Sequence, residues 1–192
     1  MAITNLEERK ILLSAARKSI QSIFTGEEIQ TPDYEKYPVL KKHLGAFVTL
    51  TINKRLRGCI GYITSDKPLF ETVCDAAISA AINDPRFPPL SGNELDLIDI
   101  EISILSEPFP MNSYDDIIVG KHGLILEEPG RRALLLPQVP IEHNLNKEQF
   151  LSALCEKAGL YGDCWKQKQL KISLFTAEVF SEKELGVKNE YN

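Results

Sequence analysis

The stretch from Leu95 to Leu105 alternates apolar and polar side chains with a period of two, and it constrains the fold more than any other part of the chain. Every second position from 98 to 104 is isoleucine, whereas Asp99, Glu101 and Ser103 stand between them. Because successive side chains of a strand point to opposite faces, the pattern predicts a strand whose isoleucine side lies in a core. The opposite side, which carries carboxylates, is either solvated or lines a cleft.

The rest of the chain mixes helical and strand patterns without the rhythm of a βαβ protein. Apolar residues recur at a helical period between a capping-box pattern that starts at Thr4 and a stop at Gly26. The other predicted elements are a hairpin over Gly45 to Ile63, a helix from Pro68 to Asn83, a hairpin turning at Glu128 to Arg131, a helix over Asn146 to Leu160 and a strand over Leu170 to Phe180. We therefore predict an α+β fold with a largely antiparallel sheet.

Length and composition indicate one globular domain. The chain has 192 residues, of which 43% are apolar, so it can bury a sizeable core. Pro108 and Pro110 interrupt the pattern, and a break between two subdomains is therefore placed near Glu107 to Ser113. With 27 acidic and 22 basic side chains the net charge is −5, which argues against nucleic-acid binding, because that function usually needs a surplus of Lys and Arg.

The beginning of the chain and its cysteines indicate a cytoplasmic protein. Charges interrupt the first residues, so no signal-peptide pattern is present, and no run approaches the ~18 apolar residues that a membrane span needs. The cysteines, Cys59, Cys74, Cys155 and Cys164, show no CxxC pairing, and the histidines are scattered. We therefore expect reduced thiols, no metal and no cofactor.

The sharpest candidate site is the string LRGCIG, from Leu56 to Gly61. On a strand, Arg57 and Cys59 would project from the same face, where the guanidinium would favour a thiolate. Gly58 and Gly61 leave space for another backbone or for a ligand. Two interpretations stay open: a reactive cysteine or anion site with Arg57 as its main ligand, and a core cysteine in a hairpin whose glycines serve a bulge.

Four further residues could take part in chemistry. His122, in a glycine-flanked string, suits a proton shuttle but also a plain turn. Glu101 is a candidate general acid or base, or a solvated carboxylate. Gln138 could orient a substrate or satisfy a loop backbone, and Arg86 lies in a turn that could simply end a helix. No nucleophile elbow, P-loop or dinucleotide fingerprint is present, which disfavours the common hydrolase, NTPase and dehydrogenase folds.

Several strings, taken in order, resemble motifs of the AMMECR family. Besides LRGCIG, the resemblance rests on Gly45 to Leu50, Asp84 to Phe87, Glu101 to Ser103, Gly120 to Leu124, Leu135 to Val139 and Lys157 to Leu160. Together they span nearly the whole chain. The sequence departs from the family at Asn144 to Asn146, a stretch where members typically carry a tryptophan.

The resemblance implies a single AMMECR-type domain of the prokaryotic kind. Its expected fold is α+β, with a mostly antiparallel, barrel-like sheet built from two repeated β-β-β-α-α-β units and flanking helices. Prokaryotic members are called protein A of the AmmeMemoRadiSam system, which implies a radical-SAM enzyme and a Memo-type protein as partners. The chain lacks the three-cysteine motif of radical-SAM enzymes, so we expect no iron–sulfur cluster on it.

The resemblance implies no established reaction, and two functional hypotheses follow besides nucleic-acid binding, which the net charge of −5 makes the weakest of the three. In the first, Cys59 is a nucleophile, and Arg57 both activates it and clamps a small anionic substrate. His122 or Glu101 transfers protons, and Gln138 orients the substrate. The remaining candidate binding residues are Gly58, Gly61 and Arg86. In the second, the chain is a non-catalytic substrate-binding or scaffold subunit, because no complete catalytic constellation is visible.

Overall fold

The computed structural model describes Ala2 to Val187, and in that range α-helices and β-strands are interleaved along the chain. The helices are α1 (Leu6–Thr25), α2 (Leu69–Ile82), α3 (Val139–Glu142), α4 (Lys147–Lys157), α5 (Cys164–Gln167) and α6 (Glu182–Leu185). The strands are β1 (Ala46–Ile52), β2 (Arg55–Tyr62), β3 (Ile98–Leu105), β4 (Phe109–Pro110), β5 (Gly123–Glu128), β6 (Arg131–Leu135), β7 (Ile172–Phe175) and β8 (Ala177–Ser181). Short 3-10 helices occupy Pro38–Lys41, Gly92–Glu94 and Tyr114–Asp116. No helix in the described range is long and apolar enough to cross a bilayer.

The strands form two antiparallel four-stranded sheets, which confirms the mixed α+β class. The first sheet has the order β2-β1-β3-β8 and the second the order β4-β7-β5-β6. In each sheet a hairpin is followed by helical structure and then by a strand that pairs with the first strand of that hairpin. Both sheets end in edge strands, so the described residues form no closed barrel and the expected barrel-like sheet is not confirmed.

The two sheets belong to two compact units. Within the described residues, one unit runs to Leu105 and resumes at Glu178, and the other is Ser106–Ala177. The first boundary lies beside the proline-containing segment where the sequence indicated a break. Each unit has its own hydrophobic core, as a compact unit requires.

The isoleucine stripe of β3 lies in the core of the first unit, as its alternation predicts. The isoleucines at 98, 100, 102 and 104 have no exposed surface, and neither have Val48 and Leu50 on the neighbouring β1. The same core includes a row of alanines on α2, among them Ala76, Ala77 and Ala80. Such small side chains let a helix backbone approach a sheet closely.

Helix α1 begins one residue later than the capping box predicted from Thr4. The Asn5 side chain accepts the Glu8 N–H at 3.0 Å, and the Glu8 carboxylate accepts the Asn5 N–H at 2.8 Å. Thr4 is engaged elsewhere, since its hydroxyl donates to the Glu178 carboxylate at 2.8 Å. The helix ends at Gly26 as predicted, with that glycine in the left-handed conformation at a φ of 73°.

The core of the second unit is built around α4. This helix begins at the predicted cap Asn146, whose side chain accepts the Gln149 N–H at 2.9 Å. Phe150, Leu151 and Leu154 form its buried face within the core cluster of this unit. The predicted helix therefore exists, although it ends at Lys157 rather than at Leu160.

Cys155 and Cys164 form a disulfide, which corrects the expectation that all the cysteines are reduced thiols. Cys155 lies in the last turn of α4, and Cys164 is the first residue of α5. The turn between the two helices brings their Cα atoms to 6.3 Å, a separation that a disulfide can bridge. No spacing pattern in the sequence predicts this pair, because it is the turn between the two helices that brings the cysteines together. Cys59 and Cys74 are free.

We expect reduction of this disulfide to destabilise the protein by about 2–3 kcal/mol, because the bond closes a short loop that is otherwise free in the unfolded chain. Urea unfolding with and without dithiothreitol measures the effect. The double variant Cys155→Ala/Cys164→Ala should show no response to the reductant and should resemble the reduced wild type. A wild-type midpoint that does not move on complete reduction would contradict the prediction.

Candidate functional site

A row of three chemically active side chains crosses one face of the first sheet. Thr49 on β1 stands opposite Cys59 on β2 and opposite Glu101 on β3. Their face is the one away from the core, because the adjacent residues Val48 and Leu50 point into it. Directly paired residues have Cβ atoms about 4.5–5.5 Å apart, so Cys59 and Glu101 each lie beside Thr49.

Thr49 contacts the thiol directly. Its hydroxyl donates a hydrogen bond to the Cys59 sulfur at 3.3 Å. Cys59, Thr49 and Glu101 are all half-buried, so the row is neither sealed in the core nor fully solvated. A hydrogen-bond donor at the sulfur stabilises it most when it carries negative charge. The structure therefore brings together two of the predicted catalytic residues, Cys59 and Glu101, with a threonine between them.

Arg57 lies at a β-bulge in β2. The pairing of β2 with β1 runs through Leu56 and Gly58 and skips Arg57. Its guanidinium donates to the two oxygens of the Glu94 carboxylate at 2.7 and 3.1 Å. The predicted activator of Cys59 is therefore the partner of an acid on the Gly92–Glu94 helix.

The turn that follows α2 forms hydrogen bonds with the backbone N–H and C=O groups of Cys59. Strand β2 lies at the edge of its sheet, where outward N–H and C=O groups have no neighbouring strand. The Asp84 carboxylate accepts the Cys59 N–H at 2.9 Å, and Arg86 Nη2 donates to the Cys59 carbonyl at 3.3 Å. The turn thus takes the place of the missing strand, and it sets the Arg86 guanidinium beside the predicted nucleophile.

Asp84 and Arg86 form an ion pair at 2.7 Å. Hydrogen bonds from the Arg86 side chain, and then from the backbone N–H groups of Cys59 and Arg86, hold the pKa of Asp84 well below its usual range, although burial opposes them. The hydrogen bond to Asp84 in turn raises the pKa of Arg86. Both groups stay charged at neutral pH, and 54% of the Arg86 side chain is exposed, so its guanidinium remains accessible to a ligand.

Gly58 and Gly61 accommodate close contacts within the protein. A Cβ atom at Gly58 would lie 2.1 Å from the backbone oxygen of Ala80 on α2. At Gly61 it would lie 2.5 Å from the ring of Phe47. Protein atoms therefore lie close to both glycines, as the close-backbone use predicted for them requires.

His122 belongs to the second unit and is 7% exposed. Its Nδ1 lies 3.3 Å from the Ile118 nitrogen and 3.1 Å from the Asp116 carbonyl oxygen. The ring edge also packs against Phe109. These contacts hold the imidazole in the turn that leads into β5.

Gln138 also belongs to the second unit, directly before α3. Its Oε1 is buried and has no hydrogen-bond partner among the described residues. Buried polar atoms are nearly always paired, so this oxygen is an acceptor site of the second unit. The sequence suggested either a substrate contact or a backbone contact, and the described residues include no backbone group bonded to this oxygen.

The sequence patterns do not single out Thr49 or Glu94, and they include Asp84 only in the Asp84 to Phe87 motif at the end of a helix. The Asn53-Lys54 turn signals the hairpin, but without the bulge at Arg57 it would set Thr49 opposite Gly58, so no local signal identifies Thr49 as the partner of Cys59. Nothing local signals Glu94, because it lies 37 residues from Arg57 in the chain.

We expect Glu94 to contribute to the loss of folding stability at acid pH. The hydrogen bonds from Arg57, with those from Ser91, lower the pKa of Glu94 to about 2, against about 4.3 for an unfolded glutamate. A carboxyl group whose pKa is depressed by folding adds stability above its unfolded pKa, and that stability is lost as the pH falls toward the folded pKa. Between about pH 4.3 and pH 2 the free energy of unfolding should therefore fall less steeply in Glu94→Gln than in wild type.

Urea titrations at several pH values in this range measure how steeply the free energy of unfolding falls with pH. Arg57→Gln should flatten the profile in the same way, because it removes the partner that lowers the pKa of Glu94. Parallel profiles for wild type and both variants would show that the ion pair does not contribute.

Comparison with known proteins identifies relatives over the whole length of the chain. Protein Mbar_A1807 of Methanosarcina barkeri is 42% identical over 190 residues, covering 95% of this chain and 93% of that protein. Protein PH0010 of Pyrococcus horikoshii is 41% identical over 184 residues, covering 90% of this chain and 89% of that protein. The crystal structure of PH0010, described as an uncharacterized protein, aligns with a TM-score of 0.87 at 39% identity and covers 96% of each chain.

The family comparison agrees with the resemblance of the LRGCIG string and the other motifs. The AMMECR1 family model matches residues 13–180, which include the row formed by Cys59, Thr49 and Glu101 and all but the last residue of the two sheets. The chain belongs to the AMMECR1 family.

Proposed function

We propose that this protein is an enzyme in which Cys59 acts as a nucleophile toward a small anionic substrate. The observation that carries the proposal is the hydrogen bond from the Thr49 hydroxyl to the Cys59 sulfur, in a row that continues to Glu101. A thiolate is the nucleophilic form of cysteine, and the hydroxyl donor stabilises it. The thiol is free and half-buried, as a reacting group must be to meet a substrate.

The neighbouring residues have separate roles in this proposal. Glu101 accepts the thiol proton by way of the Thr49 hydroxyl, since the register places Thr49 between Cys59 and Glu101 on one sheet face. Arg86 binds the anionic group of the substrate, because its exposed guanidinium lies next to the Cys59 peptide. Arg57 is a positioning residue, which ties β2 to the Gly92–Glu94 helix through Glu94.

The enzyme would act together with a radical-SAM enzyme and a Memo-type protein. The support for these partners is the motif resemblance centred on LRGCIG, and not a surface of the chain. Co-purification of the three proteins, followed by an assay of the assembled system with Cys59→Ser, tests this part. Stable assembly with lost activity supports the enzyme, whereas the absence of any assembly rejects the partners and leaves the thiol chemistry to be judged by itself.

Alkylation of the free thiols tests the nucleophile. We expect iodoacetamide to modify Cys59 at least about tenfold faster than Cys74 in the folded protein, as followed by mass spectrometry of the two peptides. Cys74 is a natural internal control, because burial raises the pKa of its thiol. The proposal is wrong if Cys59 cannot be alkylated before the protein unfolds, or if Cys59 reacts no faster than Cys74.

Variants of the threonine row sharpen this test. Thr49→Val removes the donor at the sulfur and should slow alkylation of Cys59 several-fold, while Thr49→Ser should restore it. The matched control is Thr51→Val, on the same strand and face but opposite Asp99 and Leu56 rather than Cys59. Equal rates in Thr49→Val and Thr51→Val would remove Thr49 from the mechanism.

A second candidate function is a non-catalytic binding or scaffold subunit. One observation favours it: both arginines near Cys59 already have carboxylate partners, Arg57 with Glu94 and Arg86 with Asp84. Paired arginines attract a thiolate or a substrate anion less strongly than unpaired ones. Full activity of the assembled system with Cys59→Ser would establish this alternative over the enzyme.

A further inference from the structure

A groove of about 360 Å³ lies between α4 and α5 in the second unit. One wall is a face of α4 that carries Glu148, Ser152 and Glu156, and the other wall is α5 with Trp165 and Lys166. A volume of this size is at the lower end of the range of small-ligand sites. The groove therefore suits a small molecule or one side chain of a partner protein.

The Trp165 ring is held in place by three contacts. Its neighbour Cys164 is joined to Cys155 of α4 by the disulfide. The indole N–H donates to the Ser152 hydroxyl at 3.1 Å, and the ring packs edge-on against Tyr114 at a centroid distance of 5.7 Å. The indole is thus already fixed on the α5 wall, which lowers the entropic cost of binding a ligand against it.

An ammonium group of the chain itself lies over this ring. The Lys166 Nζ is 5.1 Å from the centroid of the Trp165 ring and 3.9 Å from an oxygen of Glu148. A cation within about 6 Å of an indole centroid is attracted by the ring electrons. The groove therefore combines an aromatic face with a carboxylate, and it already holds one organic cation.

This internal contact is weak enough for a ligand to replace it. The Lys166 and Glu148 side chains are 58% and 70% exposed, and exposed ion pairs contribute little to stability. A lysine also loses much of its rotamer freedom when its ammonium group is held in one place. An external cation that reaches the ring displaces Lys166 into solvent, where the lysine regains that freedom.

A second carboxylate, that of Glu156, lines the same groove. Glu148 and Glu156 lie about one helical turn before and after Ser152, so the indole N–H bonded to Ser152 lies between them along α4. Their negative charges attract cations to the groove and repel anions. Leu145 and Ala153 add apolar surface, which suits the alkyl chain that carries an ammonium group.

We propose that this groove binds an alkylammonium group against the Trp165 ring, and that Lys166 competes with the ligand for the same place. Two kinds of molecule share this chemistry, namely free amines and proteins that present a lysine side chain. The inference concerns the second unit alone and does not depend on the chemistry proposed for Cys59.

Trp165 is the single tryptophan of the chain, so its fluorescence reports directly on the groove. The probes are butylamine, Nα-acetyl-lysine methylamide and, as the neutral analogue, Nα-acetyl-norleucine methylamide. We expect both cations to change the Trp165 emission in a saturable way, at concentrations at least about fivefold below any effect of the neutral analogue.

The two cations distinguish the sources of the ligand. Tighter binding of butylamine indicates a free amine, and tighter binding of the blocked lysine indicates a partner protein. An equal response to the neutral analogue, or no saturable response to either cation, overturns the proposal.

Three variants test the competition. Lys166→Gln removes the internal ammonium group and should tighten binding of the cationic probes about threefold. Lys157→Gln removes the same charge beside Glu156 but outside the groove, and should tighten binding much less. Glu156→Gln should weaken binding several-fold, with folding of all variants checked by circular dichroism. Equal effects of Lys166→Gln and Lys157→Gln, or unchanged affinity in Glu156→Gln, would show that the inference is wrong.

Discussion

Replacing Arg17 by methionine should lower the free energy of unfolding by about 3–5 kcal/mol, the cost of breaking a buried ion pair. The Arg17 and Glu182 side chains are 5% and 0% exposed, and their charged atoms lie 2.5 Å apart. Arg17 also donates to the carbonyls of Leu95 and Ile98 at 2.9 and 3.0 Å. Among the described residues, the buried charge of Glu182 keeps only the Ile100 N–H in this variant, at 3.0 Å.

Urea unfolding followed by circular dichroism measures the effect, and the chain offers an exposed ion pair for comparison. Lys67 and Asp75 pair with side chains 57% and 38% exposed, so Lys67→Met should lower the free energy of unfolding far less than Arg17→Met does. The double variant Arg17→Met/Glu182→Leu should be more stable than Arg17→Met alone, because it leaves no charge buried. If Arg17→Met and Lys67→Met cost the same, the buried pair is not a main stabilising contact.

Gly58→Ala should lower the free energy of unfolding by about 3 kcal/mol, which is near the upper end of the usual cost of adding a carbon atom to a tightly packed core. The added Cβ would lie 2.1 Å from the Ala80 oxygen and 3.1 Å from its carbonyl carbon. Both are backbone atoms, so no side-chain rotation relieves the clash, and α2 has to move away from β2. That shift also displaces Asp84, which follows α2 and accepts the N–H of Cys59.

Gly92→Ala is the matched control for this prediction. A Cβ atom there would meet only the ring of Phe24, at 3.8 Å, which is an ordinary contact. Its cost should stay within about 0.5 kcal/mol, as for other surface substitutions. Thermal or urea unfolding of the two variants compares them directly, and equal costs would show that α2 tolerates a side chain at position 58.

Much of the fold was predictable because its determinants are local. The isoleucine period predicted β3 and its buried face, and Gly26 and Asn146 marked a helix end and a helix start that the structure has. Periodicity and caps act within a few residues, so the sequence displays them directly. Thr4 shows the limit of such signals, since a contact with the distant Glu178 moved the cap to Asn5.

The candidate site was predictable in part. The sequence identified Cys59 and placed Glu101 on the polar face of its strand, and the sheet register put both beside Thr49. A regular hairpin around Asn53-Lys54 would set Thr49 opposite Gly58. The bulge at Arg57 shifts the register by one residue, and that shift is what brings Thr49 to the sulfur.

Contacts between distant segments could not be predicted. The partner of Arg57 is Glu94, and the peptide group of Cys59 is held by Asp84 and Arg86 from the turn after α2. Each pairing depends on how α2 and the loop behind it cross the edge of the sheet. A sequence pattern reports which face a side chain occupies, but it does not report which other segment comes to that face.

By itself the sequence determined most of the helices and strands, that β3 buries its isoleucine face, and that LRGCIG marks a candidate site. Hydrophobic period, capping and turn chemistry decide those properties over a few residues. The single strand predicted over Leu170 to Phe180 was wrong, since the structure has two strands there, β7 and β8, in different sheets. Only the tertiary structure decided that Arg57 pairs with Glu94, that Cys155 and Cys164 are joined, and that α5 lies beside α4 to form a groove. These features depend on distances between segments remote in sequence, which packing of the whole fold sets.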